Sequence, residues 1–139
     1  MREIKFRGKL TGVDLWKFGY LFKTTKSNPT NEETCWIFND DGKFKVAPET
    51  VGQFIGHPDK NKKEIYEGDV IHWNHLVSFS FKTKKEVRED AFAKVVWRHT
   101  GFTFEIISGH LRTLDMETAE VVGNIYDNPE LLLKTEELK

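Results

Sequence analysis

The chain has 139 residues, of which 38% are hydrophobic and 31% charged, enough apolar material for one compact domain or a β-rich core with a smaller appendage. Its 21 basic and 22 acidic side chains give a net charge of -1, which excludes a general electrostatic attraction to nucleic acid or anionic membrane. A single cysteine excludes an internal disulfide, and the charged start lacks the apolar core of a signal peptide. No apolar run reaches the roughly 18 residues that a membrane span needs, so we expect a cytoplasmic protein.

Alternating apolar and polar residues predict a strand at the start of the chain and another at residues 15–22. In the first, Ile4 and Phe6 are expected to share the buried face, and Gly8 is expected to end the strand. The second strand is followed by a loop of turn-forming residues at 27–31. It places four aromatic side chains in register: Trp16, Phe18, Tyr20 and Phe22.

The clearest turn signal is Asp41-Gly42, which lies between apolar runs at residues 34–38 and 44–46. Because Asp-Gly readily adopts the positive φ angles of tight turns, these runs predict a hairpin. Further strands are predicted where β-branched and aromatic residues cluster between turn formers. They lie at residues 50–56, 64–71, 94–97, 102–107 and 120–125.

Two segments favour a helix. Asn128, Pro129 and Glu130 are typical of a helix start, so residues 128–134 predict a short C-terminal helix. Residues 84–92 are rich in helix-forming charged residues but lie between aromatic alternations, so they are interpreted as either a helix or a mobile loop. The predicted fold class is therefore mainly β.

Three further segments are distinctive in their order and spacing. The first is residues 1–7 (MREIKFR), and the third is residues 121–131 (VVGNIYDNPEL). The second combines residues 50–56 (TVGQFIG), 59–61 (DKN) and 63–70 (KEIYEGDV). Together they resemble the YopX-like family, small phage and prophage proteins of unknown activity.

The resemblance implies a β-rich N-terminal region over residues 1–50 and a small SH3-like barrel over residues 51–139. The residues themselves predict that this barrel carries an inserted arm around residues 74–92, which interrupts the regular succession of strands, and the short terminal helix. It also implies a phage or prophage protein in the cytoplasm of a bacterial host. The sequence departs from the family pattern at two places. One is His57-Pro58, just before the turn, and the other is Lys62, where similar proteins tend to carry glycine. Without that glycine, the left-handed position of the turn is expected at Asn61.

The residues that carry the resemblance have a structural interpretation that needs no active site. Glycine permits bulges, tight bends and close backbone approach beside strands, and an aspartate in a turn accepts backbone N–H bonds. We therefore assign structural roles to Gly52, Gly56, Gly68, Asp69, Gly123 and Asn124.

No set of catalytic residues converges in the sequence. On a strand, His72 and His75 would point to opposite faces, and Cys35 has no second cysteine to complete a zinc site. Cys35 lies in a predicted strand without a neighbouring histidine, which indicates a core residue. The other histidines are His57, His99 and His110. The sequence also lacks a phosphate-binding loop, a dinucleotide fingerprint and a serine elbow, so we expect no metal, no cofactor and no enzymatic activity. An enzyme with a site assembled from distant residues is the least favoured alternative.

The favoured function is association with a protein partner or a second copy through the arm, residues 74–92. Insertions of this length in compact domains are usually functional or disordered. Val77, Phe79 and Phe81 are expected on one face of a projecting hairpin, with Leu76 at its start, and this face would add to a partner. The competing interpretation is an extended loop that packs on its own barrel.

The alternative is a small β-barrel protein that binds single-stranded nucleic acid. The arm places a basic cluster after two aromatic side chains, a combination that holds phosphates and stacks bases. The cluster consists of Lys82, Lys84, Lys85 and Arg88, and a smaller one of Lys60, Lys62 and Lys63. Against this, Glu86, Glu89 and Asp90 are expected to neutralise the arm cluster. No membrane partner is expected.

Overall fold

The computed structural model describes residues 3–25, 33–109 and 118–133. Strands dominate these residues and form two antiparallel sheets, which confirms the mainly β prediction. The chain divides into two compact units, Met1–Gly56 and His57–Lys139. None of the described helical segments has the length and apolar character needed to cross a membrane. The predicted loop at residues 27–31 and His110 lie outside the described residues.

The first unit is built around an antiparallel sheet in which neighbouring strands follow the order β4-β3-β2-β1-β5. Its inner face buries Cys35, Ile37 and Val46, against which Phe6 and Leu21 pack. Cys35 is therefore a core residue, as predicted. A 3₁₀ turn, Pro48–Thr50, precedes the last of these strands. The strands are β1 (Phe6–Lys9), β2 (Trp16–Thr25), β3 (Glu33–Asn39), β4 (Gly42–Val46) and β5 (Gly52–Pro58).

The first strand differs from the sequence prediction in two ways. Ile4 is 58% exposed and Arg7 only 6%, because the strand begins at Phe6 and the guanidinium of Arg7 lies over the ring of Trp16, 4.5 Å from its centroid. Gly8 does not end the strand but lies within it. A Cβ at Gly8 would come within 2.8 Å of a methyl group of Val46, so the absent side chain makes room for the core.

The hairpin predicted at Asp41-Gly42 is confirmed. β3 and β4 pair from Cys35↔Val46 to Asn39↔Gly42, and Gly42 has a φ of 129°. The side-chain oxygen of Asn39 also accepts the backbone N–H of Asp41 at 2.8 Å, which closes the turn.

The second unit contains a four-stranded antiparallel sheet in the order β10-β7-β8-β9. Lys84 lies in the turn before β8 and residues 85–92 belong to β8, so the prediction of a helix or a mobile loop over residues 84–92 is wrong. They pair residue by residue with β7, and these contacts outweigh the local helix propensity. The strands of this unit are β6 (Glu64–Tyr66), β7 (Asp69–Ser80), β8 (Lys85–Arg98), β9 (Gly101–Ser108) and β10 (Glu120–Asn124).

The predicted C-terminal helix is only a single 3₁₀ turn, Pro129–Leu132. Asn128 does not cap it with its side chain; instead the Asn128 Oδ1 accepts the backbone N–H of Asn124 at 3.2 Å. Leu133 is already extended, with φ -71° and ψ 130°. Asn128, the expected helix cap, therefore connects the segment after β10 back to the last residue of that strand.

Candidate binding surfaces

The family-like segment at residues 59–63 forms a turn organised by one buried carboxylate. Asp59 Oδ1 accepts the backbone N–H groups of Asn61 and Lys63 at 2.8 and 2.9 Å, and its Oδ2 accepts that of Val121 at 2.9 Å. Burial raises the pKa of Asp59, but these three donors and the charge of Lys63 outweigh it and hold the pKa below its ordinary value. Asp59 thus stays ionised and ties the turn to β10.

The left-handed residue of this turn is Lys62, with φ 66°, and not Asn61 as expected. Asp59 Oδ1 accepts the backbone N–H groups of Asn61 and Lys63, and these two hydrogen bonds fix the backbone on either side of Lys62. The side chain is therefore held in a conformation that favours glycine. This is the position at which the resemblance to the family implies a glycine.

The turn between β6 and β7 has a similar design. Asp69 is buried, and its Oδ2 accepts the backbone N–H of Tyr66 at 2.8 Å. Gly68 has φ 94°, and a Cβ there would come within 2.9 Å of the ring of Tyr126. Gly56, at the end of the first unit, also has a positive φ of 93°, whereas Gly52 is buried opposite Arg7 in β5.

The third family-like segment closes on itself after β10. Asn124 Oδ1 accepts the backbone N–H groups of Tyr126 and Asp127 at 3.0 and 2.8 Å. A Cβ at Gly123 would come within 2.5 Å of the side-chain oxygen of Asn128, so only glycine fits without a shift. Asn124 therefore forms the turn after β10, and Gly123 leaves room for the side chain of Asn128.

A charged cluster that sequence reasoning missed surrounds His72. Its Nε2 lies 2.9 Å from Asp90 Oδ1 and its Nδ1 lies 3.2 Å from Glu120 Oε1. The hydrogen bonds from His72 and then from Asn74 hold the pKa of Asp90 below its ordinary value. The register Glu120↔His72 and Asn74↔Asp90 brings these groups together, a long-range pairing that no local spacing reveals.

This cluster joins His72 to two carboxylates by hydrogen bonds. Within residues 3–25, 33–109 and 118–133, no group of three or more histidine, cysteine or acidic side chains is arranged to hold a metal. The side chain of His75 lies outside the described residues, so its expected orientation relative to His72 stays a prediction.

The arm is a two-stranded ribbon made by the distal parts of β7 and β8. β10 pairs with β7 only over Asp69–His72, and the pairing of β9 with β8 starts at Phe92, the last residue of the arm. In the part of the chain that the structure describes, no third strand therefore lies alongside residues 74–80 or 85–91. Within the described residues, the sides of these two segments that face away from each other are therefore the edges of the ribbon.

Most large apolar side chains of the arm are exposed, and Phe81 at the tip is 80% exposed. The other exposed ones are Leu76, Val77, Phe79 and Val87. A β-bulge adds one residue, Val77, to β7, because Leu76 lies opposite Arg88 and Ser78 lies opposite Val87. Phe79 therefore lies on the face of Leu76, and the regular alternation expected for Val77, Phe79 and Phe81 is interrupted. The rings of Phe79 and Phe81 still meet edge to face at 5.0 Å.

The four basic residues of the arm do not converge. Lys82 and Lys84 lie in the turn, whereas Lys85 and Arg88 are three residues apart in β8 and point to opposite faces. Arg88 Nε also lies 3.1 Å from Glu86 Oε2. Lys60, from the smaller basic cluster, pairs with Glu120 at 3.6 Å.

A second exposed surface lies on the outer face of the first sheet. The register Tyr20↔Phe38 and Phe22↔Trp36 places four rings on one face of β2 and β3. Tyr20, Phe22 and Phe38 are 72%, 51% and 37% exposed, and Phe22 meets Phe38 edge to face at 5.8 Å. We call this surface the aromatic face: Tyr20, Phe22, Trp36 and Phe38, with Lys43 and Lys45.

The two lysines reach this face from β4, where Lys43 lies opposite Phe38 and Lys45 opposite Trp36. The ammonium of Lys43 lies 4.5 Å from the centroid of the Trp36 ring. The sequence predicted the aromatic alternation of β2 but not its exposure. The detectable signal is that residues 36 and 38 repeat this alternation across the hairpin, while the opposite face carries Cys35 and Ile37.

Comparison with known proteins shows the family to which the chain belongs. The sequence profile of the YopX protein family matches residues 6–133, so the chain belongs to the YopX family, as its three segments predicted. The fold is similar to the crystal structure of protein EF1440 from Enterococcus faecalis, with a TM-score of 0.53 and 19% identity over 95% of this chain and 99% of that one. No curated protein matches the sequence.

Proposed function

We propose that this protein is a non-enzymatic phage or prophage accessory protein that works by self-association, through the edge of β8 in the arm. The observation that carries the proposal is that residues 85–89 pair with β7 on one side and, within the described residues, with no strand on the other side. They also expose Val87 among residues of alternating charge. An exposed strand edge adds readily to a second strand of the same kind.

The charge order along β8 favours a second copy as the partner. In an antiparallel pair of two β8 edges with a two-fold axis at Val87, Glu86 lies opposite Arg88 of the other copy. The same axis places Lys85 opposite Glu89 and Val87 opposite itself. Every charge on residues 85–89 then meets an opposite charge, which contributes both affinity and register.

A charge exchange tests this arrangement by measuring the mass in solution with light scattering. Arg88→Glu and Glu86→Arg each place like charges opposite each other, so each single variant is expected to be a monomer. An equimolar mixture of the two single variants is expected to restore the dimer, because each chain then carries the charges that complement the other. The double variant E86R/R88E is expected to dimerise like the original chain.

The design has a matched control and a clear failure. Lys82→Glu changes a charge in the turn, outside the paired register, and is expected to leave the dimer unchanged. The loss of the Glu86–Arg88 ion pair within one chain costs little, since the side chains are about half exposed. A monomeric original chain, or dimers from all variants alike, would contradict association through this edge.

Binding of single-stranded nucleic acid by Lys82, Lys84, Lys85 and Arg88 stays the weaker alternative for the arm. Its support is the exposed Phe81 next to these cations, and the division of Lys85 and Arg88 between two faces weakens it. We also retain the SH3-like barrel as a proposal for residues 51–139. Bulges in β7, β9 and β10 support it, because bulges bend strands toward closure. A cytoplasmic location is likewise a proposal, supported by the free buried thiol of Cys35.

A further inference from the structure

We propose that the aromatic face binds a single-stranded polynucleotide, with bases stacked on its rings and phosphates held by Lys43 and Lys45. This inference is independent of self-association through the arm, because it rests on different residues in the other unit. It differs also from the arm's basic cluster, in which Lys85 and Arg88 lie on opposite faces of β8.

The rings are placed as a stacking platform. Tyr20 and Phe22 are two residues apart on β2, which separates them by roughly 6.6 Å along the strand. Phe38 and Trp36 lie directly beside them on β3, so the platform is two rings long and two rings wide. Aromatic rings exposed on a sheet accept bases of any sequence, since every base has a π face.

The charge of the face selects an anionic ligand. Apart from the four rings, the paired positions of this face on β2, β3 and β4 carry Thr24, Thr34, Lys43 and Lys45, and none is acidic. Lys43 and Lys45 are exposed on the outermost strand, next to Phe38 and Trp36. A backbone that follows β4 would place its phosphates on these lysines while its bases reach β3 and β2.

A groove beside Tyr20 extends the platform. It has a volume of about 360 Å³ and is lined by Glu3, Ile4, Lys5, Gly19 and Tyr20. Lys5 and Glu3 form an ion pair of 3.8 Å at its wall, so the groove itself is close to neutral. It provides room for a base or sugar that passes the edge of Tyr20.

A second copy of the chain is a poorer occupant of the same face. Two aromatic faces placed together would enclose four lysines, Lys43 and Lys45 from each copy, while the paired positions of the face supply no acidic partner for them. A single strand of nucleic acid satisfies both features at once, because it supplies planar rings and negative charge on one flexible chain.

Fluorescence anisotropy with labelled oligo-dT and oligo-U of about 15 nucleotides tests the proposal and distinguishes DNA from RNA as the source of the strand. Tyr20→Ala and Phe22→Ala are each expected to weaken binding about tenfold. The double variant K43Q/K45Q is expected to reduce the slope of log K against log salt by about 1.4, since each phosphate contact on a single strand contributes about 0.7. A duplex of the same length is expected to bind more weakly.

Matched variants separate this face from the arm and from simple unfolding. Phe81→Ala removes the most exposed ring of the arm, and Arg88→Glu removes an arm cation and the proposed dimer; both are expected to bind the oligonucleotides as the original chain does. Quenching of tryptophan fluorescence on binding is expected to diminish in Trp36→Phe. Unchanged urea midpoints for Tyr20→Ala and Phe22→Ala show that these variants are folded.

Three outcomes would overturn the inference. The first is no binding of either oligonucleotide at low salt, and the second is tighter binding to duplex than to single strands. The third is binding that Phe81→Ala or Arg88→Glu removes while Tyr20→Ala and Phe22→Ala retain it. A change of mass in solution caused by Tyr20→Ala, without oligonucleotide binding, would make the face a protein interface instead.

Discussion

The aromatic face and the arm both expose large apolar side chains, but their backbones differ. On the aromatic face, β3 lies between β2 and β4, and its backbone groups are used in the sheet. In the arm, β7 and β8 pair only with each other over residues 74–91 of the described chain. The face can therefore recognise a ligand through side chains alone, whereas the arm also offers backbone hydrogen bonds. The first suits a ligand of variable sequence, and the second a partner strand in fixed register.

The largest expected effect is a difference in stability between substitutions on the two faces of the first sheet. Ile37→Ala removes a fully buried side chain and is expected to lower the free energy of unfolding by about 2–5 kcal/mol. Tyr20→Ala, on the aromatic face, is expected to change it by less than about 0.5 kcal/mol. Urea denaturation measures both. A loss from Tyr20→Ala as large as that from Ile37→Ala would mean that the aromatic face is part of the core and not a binding surface.

The next effect concerns the turn that supports the sheet from which the arm extends. Asp59→Ala leaves three backbone N–H groups without their acceptor and is expected to lower the free energy of unfolding by about 1–3 kcal/mol. Asp59→Asn keeps an acceptor oxygen and is expected to lose less. The measurement is urea denaturation, with alkylation of Cys35 as a separate probe of the first unit. Burial raises the pKa of the Cys35 thiol, so it reacts slowly while its unit is folded. Equal losses from both variants would contradict the assigned role of the carboxylate.

A smaller change in the free energy of unfolding, of opposite sign, is expected at Lys62, in the same turn as Asp59. Lys62 has φ 66°, so Lys62→Gly relieves a left-handed conformation and is expected to raise the free energy of unfolding by up to about 1 kcal/mol. Asn61→Gly is the control, because the described non-glycine residues with positive φ do not include Asn61. Thermal denaturation compares the two. Stabilisation by Asn61→Gly and not by Lys62→Gly would contradict the observed turn.

The smallest effect is a dependence of stability on pH that Asp90, near the start of the arm, contributes. The pKa of Asp90 is lower in the folded chain than its ordinary value of 3.8, chiefly because of the hydrogen bond from His72. The ionised carboxylate therefore stabilises the fold above pH 3.8, and this contribution is lost as the pH falls through the folded pKa. Since Asp90 is well exposed, we expect only about 0.3 kcal/mol. Urea denaturation over a series of pH values, compared with Asp90→Asn, isolates this difference. Identical pH profiles would exclude it.

Local chemistry was sufficient to predict some elements from the sequence. Asp41-Gly42 defines its own turn, and the three family segments identify residues whose hydrogen bonds lie mostly within a few positions, such as Asp59 with Asn61 and Lys63. The 3₁₀ turn at Pro129–Leu132 shows the limit of this reasoning, because Asn128 bonds backward to Asn124 and not forward into a helix.

The candidate surfaces depended on information that the sequence order does not contain. Alternation identified β2 as a strand but could not tell which of its faces the core would cover. The answer comes from β3, where Cys35 and Ile37 join the buried side and leave Trp36 and Phe38 on the other. Likewise, the helix propensity of residues 84–92 was overridden by pairing with β7. Exposure and long-range pairing therefore decide the candidate sites.

Because of the bulge at Val77, the two strands of the arm are expected to differ in how they tolerate the deletion of a single residue. β7 has one residue more than β8 between Leu76 and Ser78, so a single deletion near this point can be absorbed by straightening the bulge, with every cross-strand pair beyond it kept. β8 has no such spare residue within the arm, and a deletion there would turn its charges to the opposite face. Related chains are therefore expected to vary in length by single residues on the β7 side of the tip and to keep the spacing of residues 85–89.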